Sequence, residues 1–542
     1  MIRSPRYRRL GFTLLAVAFA LAAWRVLTHS GRENDPRHVT LRLAHWQLEG
    51  GIREAFDAIA HDYEALHPDV HVEQIPVPVG IYTSWGTSQI IGGAAPDLVE
   101  IKGGMGGPEI WSYFLPITEE VSRPNPYNAG TPLANVAWRN TYADGMDNAY
   151  NGGMFETYGA SVFASTIRIF YNVKLMREVT GRAEPPHSFE ELMALCQKVR
   201  DHADRTGRPL LPIVCSYGTM MMDDLFRSQL QRLASEVNPG VRFPAGPTDT
   251  TDLFLSYLNH QWTLDHPGFH GGAELMRRVG REMPPGFMQL NREQALFYFA
   301  QSRALMFMAF SSDATGIIRQ ANFPVRAFRN PTPGPGTPEF GANLLGPNSE
   351  GALFTYGLLG IPRSSPHPAA ALDFLRFLTS QPEDRKFARL SGSLPVIVGI
   401  EPEGFAKDLA PDSHGFPPGP TLTLGETGRV VSNQLHLLFG PDGSSAAFLA
   451  ALSPLLPDSM RTDLTNGLNG ARRSAALNDI TIEATRQLLR EGTPSATLRR
   501  KYQGLVETQN EQEANAYYIE LRLAQSTKPQ MYADKPDSTA SR

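Results

Sequence analysis

Apolar and polar residues alternate in several short runs near the start of the chain, and longer runs with helical spacing separate them. The first alternating run, residues 39–46 (VTLRLAHW), predicts a strand. A run with an apolar residue about every 3.6 positions follows and predicts a helix that ends at Pro68. Residues 70–79 and 96–101 predict two more strands, with a helix from about Tyr82 between them. This alternation predicts a parallel sheet with right-handed crossovers, in which ligands bind beyond the carboxyl ends of the strands.

Residues 161–200 predict a strand, a proline loop and a capped helix in succession. Alternating β-branched and aromatic residues over 162–171 favour the strand. The loop at 181–186 ends in two prolines, which cannot continue a helix. The next helix begins at Ser188, whose hydroxyl can accept a hydrogen bond from the amide of Glu191. Because the Glu191 carboxylate can reach back, the pair predicts a capping box.

Later segments repeat the mixture of strands and helices. Residues 303–310 are almost entirely apolar and predict a buried strand, and residues 354–361 predict another. Beyond residue 400 the pattern becomes helical, with helices expected over 478–490 and from about 494 to 525. The sequence as a whole therefore predicts an α/β protein with additional C-terminal helices.

Length, composition and charge indicate a globular protein of more than one domain that does not bind nucleic acid. At 542 residues the chain is too long for a single core and predicts at least two domains. Apolar residues make up 42% and charged residues 19%, as in globular proteins. A net charge of −5, without a basic run beyond the N-terminus, argues against nucleic acid as a partner.

The N-terminus has the pattern of an export signal. Four arginines within the first nine residues precede the apolar run 10–24, which is short for a membrane span, and Ala-Leu-Ala at 20–22 fits a cleavage site. We expect a signal peptide over 1–24; an uncleaved inner-membrane anchor is the alternative. Residues 25–38 are expected to be a linker and 526–542 a disordered tail. Both alternatives place the protein in the periplasm or outside the cell.

The chain has two cysteines, Cys196 on the apolar face of the capped helix and Cys215 at the end of an apolar run. An oxidising compartment permits a disulfide between them, and two buried free thiols are the alternative. The spacing of His and Cys residues offers no metal or redox motif, so no metal is expected. Motifs for hydrolases, metalloproteases and nucleotide binding are also missing, and no cofactor is expected.

Several segments resemble extracellular solute-binding proteins of the sugar-binding, maltose-binding-like type, the binding subunits of ABC importers. The strand ending in Tyr171-Asn172, followed by the Pro-Pro-His-Ser-Phe-Glu-Glu-Leu run at 185–192, carries this resemblance. So do residues 66–72 (LHPDVHV) and 92–99 (GGAAPDLV). The block 361–396, which contains the sequences IPRSSPHPAAALDFLRFLTSQPE and SGSLPV, is also similar to this family. The resemblance covers about residues 39–400.

The resemblance implies a two-lobe periplasmic binding protein fold of type II, with a hinge just before Arg168. Lobe 1 would comprise residues 39–164 and 334–385. Lobe 2 would comprise residues 165–333 and 386–525, including the C-terminal helices. The implied activity is capture of a solute between the lobes by hinge closure and its delivery to a membrane permease, by a protein expected to be a monomer and not an enzyme.

A sugar site needs flat aromatic faces for the ring and polar side chains for the hydroxyls, at strand ends that face the cleft. Aromatic and polar residues at or near the predicted strand ends, and in the helix after the second strand, meet this requirement. The candidates are Trp46, Glu49, Trp85, Lys102, Met105, Tyr171, Tyr217, Asp223, Asp313 and Tyr356.

One departure from the family keeps alternatives open. The strand at 303–310 lacks the tryptophan that usually follows it in sugar-binding relatives. A non-sugar solute such as a polyamine, a phosphodiester or a metal chelate is therefore an alternative ligand. An exported sensor or scaffold on the same fold is a second alternative, and a carbohydrate-active enzyme with two carboxylates in the cleft is a third.

Overall fold

The computed structural model describes residues 39–48, 50–101, 105, 108–152, 154–216, 218–237, 248–350, 354–412, 414–423, 425–440, 442–492 and 495–526. The expected signal segment and linker lie outside these ranges, and so does the expected C-terminal tail apart from its first residue, Ser526. Among the helices of the described ranges, none combines the length and the apolar character needed to cross a membrane.

The strands belong to two larger sheets and two short ribbons. In chain order they are Val39–His45 (β1), Val70–Pro76 (β2), Leu98–Glu100 (β3), Tyr150–Asn151 (β4), Glu156–Thr157 (β5), Gly159–Ala160 (β6), Phe163–Ser165 (β7), Ile167–Asn172 (β8), Leu211–Cys215 (β9), Ala304–Phe310 (β10), Val325–Arg329 (β11), Phe354–Tyr356 (β12) and Leu359–Gly360 (β13).

The α-helices alternate with these strands and then continue alone to the C-terminal end of the described chain. They are Gly50–Leu66 (α1), Val79–Ile91 (α2), Thr118–Val121 (α3), Val173–Thr180 (α4), Phe189–Thr206 (α5), Gly218–Ser228 (α6), Gln231–Glu236 (α7), Thr250–Leu258 (α8), Pro267–Gly280 (α9), Arg292–Ala300 (α10), Ala314–Gln320 (α11), Pro368–Leu378 (α12), Gln381–Ser391 (α13), Gly425–Gln434 (α14), His436–Phe439 (α15), Ser445–Leu452 (α16), Leu456–Glu491 (α17) and Ala496–Ser526 (α18).

Lobe 1 is built on a five-stranded sheet with the order β2-β1-β3-β13-β6. Strands β2 and β3 both run parallel to β1, which confirms the predicted parallel pairing of these three strands. Strand β13 runs antiparallel between β3 and β6. Helix α1 covers this sheet with the apolar face that its spacing predicts, including the fully buried Ile52, Phe56 and Ile59.

Lobe 2 is built on a four-stranded sheet with the order β11-β8-β10-β9. Strand β8 is antiparallel to both β10 and β11, whereas β9 and β10 are parallel. All seven residues of β10 are buried, as its apolar sequence predicts. The two lobes are joined where β7, which pairs with β12, ends at Ser165 and β8 begins at Ile167.

Two segments near the predicted lobe boundaries have contacts that the sequence does not reveal. Helix α13 is a single element that packs on α1, with Phe387 against Phe56 at a ring-centroid distance of 5.1 Å. The boundary expected after residue 385 lies inside this helix. In addition, residues 340–348 pack on lobe 2, where Asn343 Nδ2 donates to Gln229 Oε1 at 3.0 Å. The spacing of apolar residues predicts a helix such as α13, but it does not reveal the lobe on which that helix packs.

The hydrogen bonds at the helix N-termini agree with the predicted caps except at Glu191. Ser188 Oγ accepts a hydrogen bond from the Glu191 amide at 3.2 Å, as predicted. The Glu191 carboxylate accepts from the amide of His187 instead of Ser188, so it reaches one residue further back than a capping box requires. The cap at Asn291 is a complete capping box with Gln294.

Both cysteines are free thiols buried in the core of lobe 2. Of the two alternatives, the structure therefore shows the free thiols and no disulfide between them. Burial raises the pKa of the Cys215 thiol to about 12 and that of Cys196 still further, so both thiols are protonated and unreactive.

The C-terminal helices form a long antiparallel hairpin, α17 and α18. The first of them is much longer than the sequence pattern indicates, because it begins at Leu456 and not near Asn478. Its early turns are anchored in the core of lobe 2 through Met460, Leu464 and Leu468.

Candidate ligand-binding cleft

Aromatic rings from both lobes meet around Tyr356. The Trp46 ring, directly after β1, lies 6.3 Å from the Tyr356 ring in an edge-on arrangement. The Phe310 ring, at the end of β10 in lobe 2, lies 5.9 Å from the same ring, and Phe163 stacks on its other side at 5.9 Å. Trp46 and Tyr356, two of the candidates, are thus brought together directly after β1 and at the end of β12.

Glu100 fixes the backbone around these rings. This buried carboxylate, at the end of β3, accepts hydrogen bonds from the Trp46 amide at 3.2 Å and the Gln47 side chain at 2.7 Å. It also accepts from the Gly357 amide at 3.2 Å. A single carboxylate therefore holds the chain on both sides of the Trp46–Tyr356 contact.

A cavity of about 360 Å³ lies where the joining segment enters lobe 2. The joining segment Ser165–Ile167 forms one wall, and Met221 and Met308 contribute apolar surface. Its polar groups include Asp224 and Arg227 on α6, with Arg329 and Glu350 from the segments that lead back to lobe 1. Such a mostly apolar hollow with a few polar groups is typical of small-molecule sites.

Asp224 and Arg227 form a loose pair on one turn of α6. Arg227 NH1 lies 3.9 Å from the Asp224 carboxylate, and Arg227 Nε donates to the carbonyl of Gly419 at 2.8 Å. Burial raises the pKa of Asp224 to about 6, although the charge of Arg227 opposes the shift. The carboxylate is accordingly near its titration point at mildly acidic pH.

A buried ion pair holds the base of the cavity. The side chain of Arg168 is only 1% exposed and binds the Glu350 carboxylate through both terminal nitrogens. It also donates to the carbonyls of Asp408, at 3.2 Å, and Ala410, at 2.5 Å. Because Glu350 is engaged in this way, it is a structural group and not a free carboxylate facing a ligand.

Residues 404–412 are fastened across the two strands that join the lobes. Thr166, directly before β8, donates its hydroxyl to the Leu409 carbonyl at 2.8 Å. From β11, Arg326 Nε donates to Asp408 at 2.8 Å and Arg329 NH1 donates to Asp412 at 2.6 Å. This segment ties the joining strands into one unit.

The other described candidates of lobe 1 pack inside that lobe. Met105 is buried, and a Cβ placed on Gly86 of α2 would lie 2.6 Å from its terminal methyl group. Trp85 is partly buried, 5.8 Å from Tyr82 between ring centroids. The structure places both in the small core beneath α2 and the end of β3.

The described candidates of lobe 2 are engaged within that lobe or at its edge. Tyr171 is buried in the lobe 2 core and donates to the Ala183 carbonyl at 3.1 Å. Asp223 accepts the Thr421 hydroxyl at 2.8 Å, and Asp313 accepts from Arg292 Nε at 2.6 Å. On α6 the cavity is faced by Asp224 and not by Asp223, because successive helix residues point about 100° apart.

Glu49, Lys102 and Tyr217 lie outside the described residues, so they remain predictions. The sequence analysis missed Asp224, Arg227, Arg329 and Glu350, which line the cavity. A signal existed for the first two, since they form an i, i+3 pair of opposite charge in the segment after the apolar run that ends at Cys215. The others come from irregular segments or strand ends without a recognisable pattern. Across the described ranges, acidic, His and Cys residues form no group of three or more that could hold a metal ion.

Several solved structures share this architecture. The chain matches a chitin oligosaccharide binding protein with a TM-score of 0.55 and 12% identity, over 78% of this chain and 99% of the other. It matches the maltose/maltodextrin-binding domain MalE from Bdellovibrio bacteriovorus, bound to maltotriose, with a TM-score of 0.53 and 17% identity, over 79% and 100%. Maltose-bound MalE3 of T. maritima gives 0.53 and 16%, over 77% and 99%.

At these identities the matches show the fold, which is the two-lobe fold of periplasmic binding proteins. The family model for bacterial extracellular solute-binding proteins matches residues 58–411. The chain belongs to this family, and the implied location is outside the cytoplasm. A search of curated proteins finds no match.

Proposed function

We propose that this protein captures a sugar or oligosaccharide between its two lobes by hinge closure and delivers it to an ABC-type permease. The observation that carries the proposal is the meeting of Trp46, Tyr356 and Phe310, rings from both lobes. A cavity lined by the joining segment Ser165–Ile167 supports it. Rings at this place can cover the apolar face of a sugar, while Asp224 and Arg227 can bind its hydroxyls. The sugar ligands named for the matched structures agree with this choice.

The protein is proposed to act without catalysis. A glycosidase needs two carboxylates about 5–10 Å apart that are available to the substrate. Of the two carboxylates that line the cavity, Glu350 is held by Arg168 and by the amide of Asp412 at 2.7 Å. That leaves Asp224 alone among the lining carboxylates, which supports binding and not hydrolysis.

A non-sugar solute is the second candidate, and a specific observation favours it. The cavity places an opposite-charge pair among methionine and proline side chains, and the Phe310 end of β10 carries no tryptophan. A charged solute such as a polyamine or a phosphodiester could pair with Asp224 or Arg227 in such a setting.

The test is a thermal-shift screen followed by calorimetry. Maltose, maltotriose, raffinose and chitin oligosaccharides are compared with spermidine and glycerophosphodiesters, and a ligand bound at 100 times its Kd should stabilise the fold by about 2.7 kcal/mol. Stabilisation by a narrow set of sugars is expected. Stabilisation by a polyamine or a phosphodiester alone would overturn the sugar assignment.

Trp46→Ala should weaken binding of the sugar found in that screen by about 1–2 kcal/mol, because the ring no longer covers the sugar face. Trp46→Phe keeps an aromatic face and should retain most of the affinity. Tyr517→Ala removes an exposed aromatic ring from α18, away from the cleft, and serves as the matched control. Equal affinity of wild type and Trp46→Ala would remove Trp46 from the site.

A further inference from the structure

The C-terminal hairpin is attached firmly to lobe 2 at its base. Tyr518 and Ile519 of α18 are buried in the core of that lobe, and the Tyr518 hydroxyl donates to Asp252 of α8 at 3.2 Å. The other helix, α17, contributes Asp463, whose carboxylate accepts from the amides of Glu426 and Thr427 at 2.7 and 2.8 Å. These contacts cap the start of α14, so the base of the hairpin moves with lobe 2.

The same helix touches lobe 1 near its other end. There the ring of Phe155 lies directly on the backbone of Gly504, where an added Cβ would lie 2.2 Å from the ring. One turn earlier, Lys501 forms an ion pair with Glu156. Phe155 adopts a left-handed backbone conformation, with φ of +53°, which is unfavourable for a residue with a Cβ.

The lobe 1 partner is a short ribbon, β4 and β5, that is itself well fixed. Glu156 also accepts the hydroxyl of Thr118, and the Thr157 carbonyl accepts from the Ile117 amide at 2.7 Å. The ribbon leads directly into β6 of the lobe 1 sheet. A force on Phe155 or Glu156 is therefore transmitted to lobe 1 and is not absorbed by a loose loop.

The two attachments lie on one continuous helix. Lys501 and Tyr518 are about 26 Å apart along α18, from a rise of about 1.5 Å per residue. The pairing with α17 stiffens the helix through Asn478 Nδ2, which donates to Gln512 Oε1 at 3.1 Å. A rod of fixed length that is tied to both lobes opposes any rotation of one lobe against the other.

We propose that the C-terminal hairpin is a brace that ties lobe 1 to lobe 2, so that hinge movement requires release of the Phe155–Gly504 and Lys501–Glu156 contacts. The lobe 1 attachment is the one that gives way, because it consists of one ring contact and one partly exposed ion pair. The lobe 2 attachment is part of a core. The brace lies outside the segment matched by the family model, which ends at residue 411.

The test removes the attachment without weakening the helix. Lys501→Ala and Gly504→Ala are combined, since alanine favours a helix and the new Cβ displaces the Phe155 ring. Spin labels at Ser88→Cys on α2 and Lys198→Cys on α5 report the distance between the lobes. Both positions are exposed, whereas the two native thiols are buried. We expect one narrow distance distribution for the braced protein and an added population at longer distance for the variant.

Hydrogen exchange gives a second readout that needs no labels. Release should raise amide exchange in residues 150–157 by roughly three- to tenfold. Glu156→Gln, which keeps an acceptor for Thr118 but removes the charge facing Lys501, should produce the same changes to a smaller degree. Arg472→Ala is the control, since it removes an ion pair with Glu520 inside the hairpin and should leave the lobe distance unchanged.

The proposal is overturned if the Lys501→Ala/Gly504→Ala variant, folded by circular dichroism, keeps the distance distribution of the wild type, whatever its exchange. It is equally overturned if Arg472→Ala shifts the distance as much as that variant does. Neither measurement uses a ligand, so the result is independent of the sugar assignment.

Discussion

At the scale of single residues, buried polar groups decide the geometry of the cleft. Glu100 holds the backbone at Trp46 and Gly357, and Arg168 holds Glu350 and residues 404–412. These residues touch partners far away in the sequence, so a pattern of neighbours cannot reveal them. Trp46 and Tyr356 could be predicted as candidates because a strand end and an aromatic ring are both visible in the sequence.

Asp384 on α13 should make stability depend on pH. It is fully buried, and burial raises its pKa to about 7, although the amides of Val396 and Ile397 donate to it at 3.1 and 2.9 Å. In the unfolded chain this carboxyl ionises near pH 3.8. The free energy of unfolding therefore decreases as pH rises from about 4 to 7, because only the unfolded state gains from the ionisation.

Asp384→Asn keeps an acceptor for both amides but cannot ionise. The variant should therefore match the wild type near pH 4 and exceed it at pH 8 by about 2–4 kcal/mol in free energy of unfolding. Urea denaturation at both pH values measures the difference. Asp458→Asn, at a side chain that is 96% exposed, should show no such gain, and parallel pH curves for Asp384→Asn and wild type would contradict the prediction.

At the scale of elements, the sequence predicts the type of most helices and strands but not their interruptions. The strand expected over 354–361 is divided into β12 and β13 at Gly357, whose φ is +66°. This turn lets Tyr356 contact the rings of Trp46 and Phe310 while Leu359 joins the sheet. The helix from Leu456 was predicted too short because small and polar residues interrupt its apolar spacing.

Gly357→Ala should destabilise the protein by about 2–3 kcal/mol, since the residue is held at positive φ and its Cβ would lie 3.2 Å from both Phe163 and Val162. Gly181→Ala is a matched control. Gly181 also has a positive φ, of +79°, but open space around it, so only the backbone cost of about 1 kcal/mol is expected. Equal losses in thermal unfolding for the two variants would show that crowding at Gly357 contributes nothing.

At the scale of the whole molecule, the fold class was predictable, whereas the boundaries of the two lobes stay predictions. The resemblance that carried the prediction ends near residue 400, so it gave no information on the hairpin. Amphipathic spacing shows that α13 and the C-terminal helices have a buried face, but several surfaces can cover such a face. Contacts such as Phe56 with Phe387 are needed to choose among them.

The Arg168–Glu350 pair should stabilise the joining strands mainly by avoiding an unpaired buried charge. Arg168→Met should cost about 3 kcal/mol of unfolding free energy, because Glu350 is then left without its partner. Arg168→Met combined with Glu350→Gln should recover much of this loss, since no charge remains. If urea denaturation finds the double variant no more stable than Arg168→Met alone, the loss has another cause.

The place of β13 in lobe 1 has a consequence for how the protein is made. Leu359 pairs with Ala160, about 200 residues earlier in the chain, and it also pairs with Glu100. The sheet of lobe 1 is thus incomplete until the whole of the intervening lobe 2 segment has been synthesised. Pairings over such long separations close slowly. The first lobe of a newly made chain is therefore expected to stay unfolded until β13 has been added, well after β6 has been made.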